Sequence, residues 1–260
     1  MIRVGSAFSG IGGFELGVEE SWRHVGVETV WQIEKDSFCQ KVLKKHWPNA
    51  TLHDDITTIN LDTLEPVDVI IGGFPCQDIS ITGKQKGVNK GEKSSLWWQL
   101  WRVISHIRPR IIILENVANI TRIGGIDVIG AITEIGYCCE WTIIQASDFG
   151  APHQRARWFC VAFQTSNTNG SNCKEHNEHT KSMEKKIIIE RGDRKIGGIG
   201  SNYWKNISNP SPVHHVDDGI SDRVAKLRSL GNAIVPACSK WVADQVLQSG
   251  LLNDFLEDQK

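Results

Sequence analysis

The chain has 260 residues, 40% of them hydrophobic, with 29 Lys and Arg against 30 Asp and Glu, a formal net charge of −1. Near-neutrality excludes a polyanion-binding role carried by global charge, so any nucleic-acid surface has to be a local patch. The length suits one large α/β domain with or without a small lobe, and neither a secretory leader nor a bilayer-spanning apolar run is expected. Seven cysteines without metal-type spacing, two of them the adjacent Cys138 and Cys139, predict a reducing, cytoplasmic setting with no metal site and no simple disulfide.

The pattern opens on a strand over residues 2–8, a glycine loop Ser9-Gly10-Ile11-Gly12-Gly13-Phe14 and a helix from Glu15. Glu15 stands where the dinucleotide fingerprint needs its third glycine. Such a loop either lets a cofactor lie against bare backbone or is an ordinary tight turn. A second strand, about Glu28 to Ile33, ends at Glu34, near the position where an acid grips a ribose in open α/β sheets. A helix from Asp36 to His46 is stopped by Pro48, and a short strand from Thr51 ends in acid at Asp54-Asp55-Ile56. A glycine loop, Glu34 and Asp55 at successive strand ends describe a nucleoside pocket better than three solvated turns.

The apolar run Val67-Asp68-Val69-Ile70-Ile71 predicts a buried parallel strand, released by Gly72-Gly73 into Phe74-Pro75-Cys76-Gln77. Loops at the carboxyl ends of parallel strands are where open sheets bind ligands. A cysteine on a turn stiffened by Pro75 is a candidate nucleophile, and an inert buried thiol is the alternative. The stretch 83–93, with four lysines and one glutamate, reads as a basic flap or a solvated loop. Ser94 or Ser95 caps a helix whose Leu96, Trp97, Leu100, Trp101 and Ile104 recur at core spacing.

The strand Ile111-Ile112-Ile113-Leu114 is expected to end abruptly in Glu115-Asn116, where poor solvation raises a carboxyl pKa. A helix from Ile126 to Ile135, a strand from Cys138 to Ile144 and a turn at 148–152 follow. Arg155 and Arg157, two apart and leading into the strand Trp158 to Phe163, are expected on one cationic face. From 164 to 216 periodicity is lost, and eight Lys and Arg face five Asp and Glu. That composition fits a small lobe or a disordered insertion. Helical spacing returns at 222–230, and Pro236 opens a last helix to about Leu247.

Taken together, these stretches resemble the DNA cytosine-5 methyltransferases of bacterial or phage type, over residues 3–163 and 219–247. Phe8-Ser9-Gly10-Ile11-Gly12-Gly13-Phe14 is similar to the family's S-adenosyl-L-methionine loop, Glu34 to its ribose ligand and Asp55-Ile56 to its adenine contacts. Pro75-Cys76-Gln77 resembles the catalytic motif, Glu115-Asn116-Val117 and Gln154-Arg155-Ala156-Arg157 the next two, and Gly231-Asn232-Ala233-Ile234-Val235-Pro236 the closing one. The resemblance implies a doubly wound, mostly parallel α/β sheet of the S-adenosylmethionine-dependent methyltransferase type with a small insertion lobe. It implies catalytic roles for Cys76, Glu115, Arg155 and Arg157. Cofactor contacts would come from Phe8, Gly10, Ile11, Gly12, Gly13, Glu34, Asp55, Ile56, Leu96 and Asn232.

The implied organisation is a catalytic and cofactor-binding domain over 1–163, a short target-recognition insertion over 164–218, and a segment 219–260 whose last helix packs back on the domain. The implied reaction methylates cytosine carbon 5 in double-stranded DNA through a covalent cysteine adduct on a flipped base, by a monomer without membrane contact. Restriction-modification, orphan and phage settings all stay open. Lys35 stands beside Glu34 where several members carry an aromatic, and the insertion is short for the family. A tRNA cytosine methyltransferase is the alternative within the fold, disfavoured by the lack of Cys-Phe-Thr. A catalytically silent DNA-binding homologue is a further alternative, and the presence of Cys76, Glu115 and Arg157 argues against it. A nicotinamide oxidoreductase lacks its glycine, and a cysteine hydrolase lacks a histidine tied to Cys76.

Overall fold

A single seven-stranded sheet, ordered β3-β2-β1-β4-β5-β7-β6, organises the protein. The computed structural model describes residues 1–75, 95–164 and 229–253. The strands are β1 (Ile2–Ala7), β2 (Val27–Ile33), β3 (Thr51–His53), β4 (Val69–Gly73), β5 (Ile111–Val117), β6 (Tyr137–Gln145) and β7 (Ala156–Gln164). All pairings are parallel except the two made by β7. Strand order reverses between β1 and β4, which places the crevice of a doubly wound sheet there. The glycine loop leaves β1 and the chain toward Cys76 leaves β4, so the two motifs emerge side by side.

Helices cover both faces, which is why β4 and β5 read as unbroken aliphatic runs. On one face α3 (Leu96–Ile107) and α5 (Gly125–Glu134) bury Trp97, Leu100, Ile104, Val128 and Ile132 against Ile70, Ile112 and Leu114. On the other, α1 (Gly13–Trp22) and the last helix, α6 (Pro236–Gln248), bury Phe14, Val18, Trp22, Val242 and Val246 against Val69, Ile71, Ile111 and Ile113. The short α4 (Ile120–Ile123) precedes α5. Among the described residues no helix is long and apolar enough to cross a membrane.

Local signals set most element ends. Asp36 caps α2 (Ser37–His46), its Oδ1 accepting from the amides of Phe38 at 2.9 Å and Cys39 at 3.0 Å, a device worth about 1 kcal/mol. Lys44 and Lys45 sit in its last turn, where cations complement the helix dipole. Pro236 occupies the first turn of α6, where its missing N–H costs nothing. α6 lies close on α1 because Gly13 and Gly17 share a face: a Cβ at Gly13 would strike the Ile234 carbonyl, and one at Gly17 the Ser239 hydroxyl and Pro236 carbonyl.

Several expectations need correction. Gly72 and Gly73 do not release β4; the strand runs through both, with Gly73 paired to Glu115. β5 does not stop before Glu115 but continues to Val117, because β7 pairs with it along its whole length. Arg155 lies outside β7, at φ 39°, so the alternation that would align it with Arg157 is broken. Cys138 is disulfide-bonded, contrary to the reading of the adjacent cysteines. Cys76, the flap over 83–93, and the insertion from 165 through 228 lie outside the described residues.

Candidate active site

At the end of β1 the backbone turns sharply through Phe8 (φ 58°), Gly10 (φ 56°) and Gly12 (φ 88°). Phe8 is a non-glycine residue in the left-handed region, a strained conformation that clusters at functional sites. The loop is stitched to its neighbour. The Phe8 amide donates to the Ile33 carbonyl at 2.9 Å, and the Gly10 amide donates to Glu34 Oε2 at 2.8 Å. Glu34 Oε1 accepts from the Asp36 amide at 2.7 Å. One carboxylate thus fixes the loop after β1 to the turn after β2.

Asp55 follows β3. Its Oδ2 accepts from Lys35 Nζ at 2.8 Å, and its Oδ1 from the amide and hydroxyl of Thr57 at 2.9 and 2.7 Å. The Lys35 hydrogen bond, then those from Thr57, hold the carboxyl down to about 2. Ile56 is a core residue whose carbonyl accepts from Arg102 Nη2 at 2.9 Å. Phe8 and Leu96, both half-buried, pack on the same apolar cluster as Ile56. Ile11 is half-buried beside Gly10, and Gly13 begins α1.

The space above Gly10 is open, with no heavy atom within 4 Å of where a Cβ would stand. A bare loop, anionic carboxylates at two strand ends and a half-buried apolar floor fit a nucleoside, which offers hydroxyl and amino donors and a flat ring. Beneath the loop lies a group whose role was not legible in the sequence. Glu15 is fully buried in the first turn of α1 and accepts from Gln32 Nε2 at 3.0 Å. Burial raises its pKa.

The second half of the site sits one strand pair away. Glu115 is 8% exposed, and its Oε1 receives Arg157 Nε at 2.9 Å. Burial pushes its carboxyl up to about 7 even though Arg157 and Arg155 pull it down. Gly73 leaves room opposite it: a Cβ there would stand tightly, 3.1 Å from Glu115 Oε2 and 3.2 Å from Ile234 Cδ1. Asn116 Nδ2 donates to the Phe74 carbonyl at 2.8 Å. Phe74 is itself buried against Trp97, ring centroids 5.1 Å apart. The chain is therefore anchored on two sides just before Pro75 and Cys76. An amide ending an aliphatic strand was the only sign of Asn116's part in this.

Arg155 and Arg157 take different partners. Arg157 turns to Glu115, while Arg155 donates from Nη1 to the Gly231 carbonyl at 2.8 Å and from Nη2 to the Ala233 carbonyl at 2.7 Å. Asn232, exposed, lies between those two acceptors. The segment holding it is wedged between the two loops, because Ile234 reaches Gly13 with its carbonyl and Gly73 with its side chain. The arrangement brings together the bare glycine loop with its neighbouring carboxylates and a buried acid with a guanidinium partner.

The chain that carries this arrangement has known relatives. Residues 2–213 match the C-5 cytosine-specific DNA methylase family. The chain belongs to that family. Type II methyltransferase M.Bsp6I of Bacillus sp. (strain RFL6) is 31% identical over 169 residues, covering 63% of this chain and 53% of the relative. Type II methyltransferase M.CviJI of Paramecium bursaria Chlorella virus IL3A is 36% identical over 160 residues, covering 60% of this chain and 42% of the relative. The chain thus spans about half the length of the curated relatives it matches. A solved structure of a mutant of Spodoptera frugiperda DNMT2 superposes with a TM-score of 0.53 at 21% identity, covering 65% of this chain and 51% of that one. That likeness is one of fold: the mostly parallel methyltransferase sheet expected from the sequence.

Proposed function

We propose that the protein methylates carbon 5 of cytosine in double-stranded DNA, with S-adenosylmethionine as the methyl donor. The observation that carries this reading is the buried Glu115, its pKa pushed up to about 7 and its Oε1 against Arg157, one residue pair from the anchored root of the Cys76 loop. Membership of a cytosine-specific family supports the choice of base, and the printed names of the relatives support DNA.

Cytosine carbon 5 is a weak nucleophile. Cys76 thiolate adding at carbon 6 makes the ring an enamine, and the negative charge that builds up spreads to ring nitrogen 3. Protonated Glu115 donates to that nitrogen and takes up the charge, while Arg157 holds the carbonyl oxygen beside it. A carboxyl titrating near the working pH is suited to this duty. S-adenosylmethionine supplies an electrophilic methyl to the enamine. With S-adenosylhomocysteine as the leaving group, loss of the carbon 5 proton to water, return of the nitrogen 3 proton to Glu115 and expulsion of the thiolate would then restore the aromatic ring. Gly10, Glu34, Asp55 and Asn232 hold the methyl donor, with Phe8, Ile11, Gly12, Gly13, Ile56 and Leu96 shaping its bed. The ring edge is reachable only after the base leaves the stack, with unstacking costing a few kcal/mol. Residues 164–218, basic over 164–216, read the target, and the lysine-rich 83–93 stretch suits a polyanionic substrate.

The test is covalent trapping. Duplex DNA containing 5-fluorocytosine, incubated with protein and S-adenosylmethionine, is expected to give a detergent-stable adduct that Cys76→Ser abolishes and Cys39→Ser does not. Cys39 serves as the control because burial holds its thiol up at about 11. An adduct persisting in Cys76→Ser moves the nucleophile elsewhere.

A further inference from the structure

We propose that Arg155 is a positioning residue for the methyl-donor site, acting through Asn232 rather than on the base. The inference rests on the cofactor reading above and adds a residue to it. Arg155 spends both terminal nitrogens on the carbonyls immediately before and after Asn232, at 2.8 and 2.7 Å. A fork-shaped cation on these two carbonyls holds the peptide plane that precedes Asn232 and the plane that follows Ala233, and so brackets the short stretch from which Asn232 projects. The arginine is itself held for this task. It sits at φ 39°, and the carbonyl of the preceding Gln154 accepts from the Ala146 amide at 2.7 Å.

The segment it grips is secured on its other side. Ser229, at its head, has its hydroxyl 3.3 Å from Cys39 Sγ, and Ser239 beyond it donates to the Gly13 carbonyl at 3.2 Å. Between these anchors the exposed Asn232 is flanked by the Arg155 clamp and by the Ala233 amide, which donates to the Ser229 carbonyl at 2.9 Å. Two residues on, Arg157 holds Glu115. The approach to β7 therefore carries one link to each half of the site, and the arginine pair divides base and methyl donor between its members.

The experiment is a double-mutant cycle on the full chain, read by calorimetric binding of S-adenosylhomocysteine, a ligand that needs neither DNA nor turnover. Arg155→Met is expected to weaken binding roughly tenfold or more through loss of two charge-assisted hydrogen bonds. In an Asn232→Ala background the same change is expected to cost less than about twofold, because a residue acting through Asn232 has nothing left to position. Arg155→Lys, keeping the cation but reaching a single carbonyl, should fall between and show the same non-additivity. It carries the cycle if the methionine variant does not fold. Equal losses in both backgrounds, or no loss with Asn232 intact, overturn the proposal. Glu34→Ala separates the two levels of the argument. If Glu34→Ala and Asn232→Ala both bind like wild type, the methyl-donor site is misassigned and the proposal falls with it. If they lose affinity and Arg155→Met does not, only the proposal falls.

Discussion

Two carboxyls of this site, Glu115 and Asp55, are driven in opposite directions by their surroundings. Asp55 is reached by Lys35 and by two donors of Thr57, and its carboxyl is held down to about 2. Glu115 has a cation too, at 2.9 Å, yet its carboxyl rises to about 7. The difference is solvent. Glu115 is walled in by β4, β7 and Ile234, and removing water from a charge costs more than one guanidinium returns. A partner alone does not make an anion. Under the proposed function, the anion would stand where a nucleoside is gripped and the protonatable group where charge develops during the reaction.

The largest expected effect comes from breaking the buried member of the pair. Glu115→Gln keeps an acceptor for Arg157 but removes the titrating proton. Methylation of duplex DNA should fall about 10²- to 10⁴-fold, with S-adenosylhomocysteine affinity nearly unchanged. A loss confined to cofactor affinity would place Glu115 on the wrong side of the site.

Next in size is the stability that Glu115 costs. Its folded pKa lies above the ordinary 4.5, at about 7, so the unfolded chain releases this proton first as pH rises. The favourable balance present below pH 4.5 is lost progressively up to about pH 7, by about 3 kcal/mol for a gap of this size. Urea unfolding between pH 5 and 8 should show that decline, and Glu115→Gln should flatten it. Glu15, also pushed up by burial, adds a decline of the same sign that the variant leaves in place.

The smallest effect concerns the exposed member. Lys35 is 80% exposed, and surface pairs contribute little. Lys35→Met should let the Asp55 carboxyl climb back toward its usual range, visible in an NMR titration, while S-adenosylhomocysteine affinity changes by at most a few-fold. A collapse of affinity would mean that Lys35 itself touches the ligand.

The sheet, both helical layers and the strand-end acids were legible because they follow from periodicity and from where α/β sheets bind ligands. Glu34 could be found by counting from the glycine loop, and Glu115 by noticing an acid closing an aliphatic run. What escaped was decided by partners distant in sequence. The parity of Arg155 and Arg157 promised one cationic face, but Glu115 holds one arginine and the carbonyls of Gly231 and Ala233 hold the other. Gly73 looked like a strand terminator, whereas its bareness clears room for Glu115 and Ile234. Nothing local to Glu15 announces that Gln32 will meet it in the interior. Cys76, the proposed nucleophile, lies outside the described residues, and the anchors at Phe74 and Asn116 stop just short of it.

The proposed mechanism needs Glu115 to be a protonatable acid in the resting protein. It is tested most directly by a carbon-13 NMR titration of glutamate side chains, with Glu115→Gln assigning the resonance. A midpoint near 7 is expected, with about half the carboxyls protonated at neutral pH. A midpoint near 4.5, the ordinary value for glutamate, would make Glu115 a plain anion paired with Arg157 and remove the proton the mechanism requires.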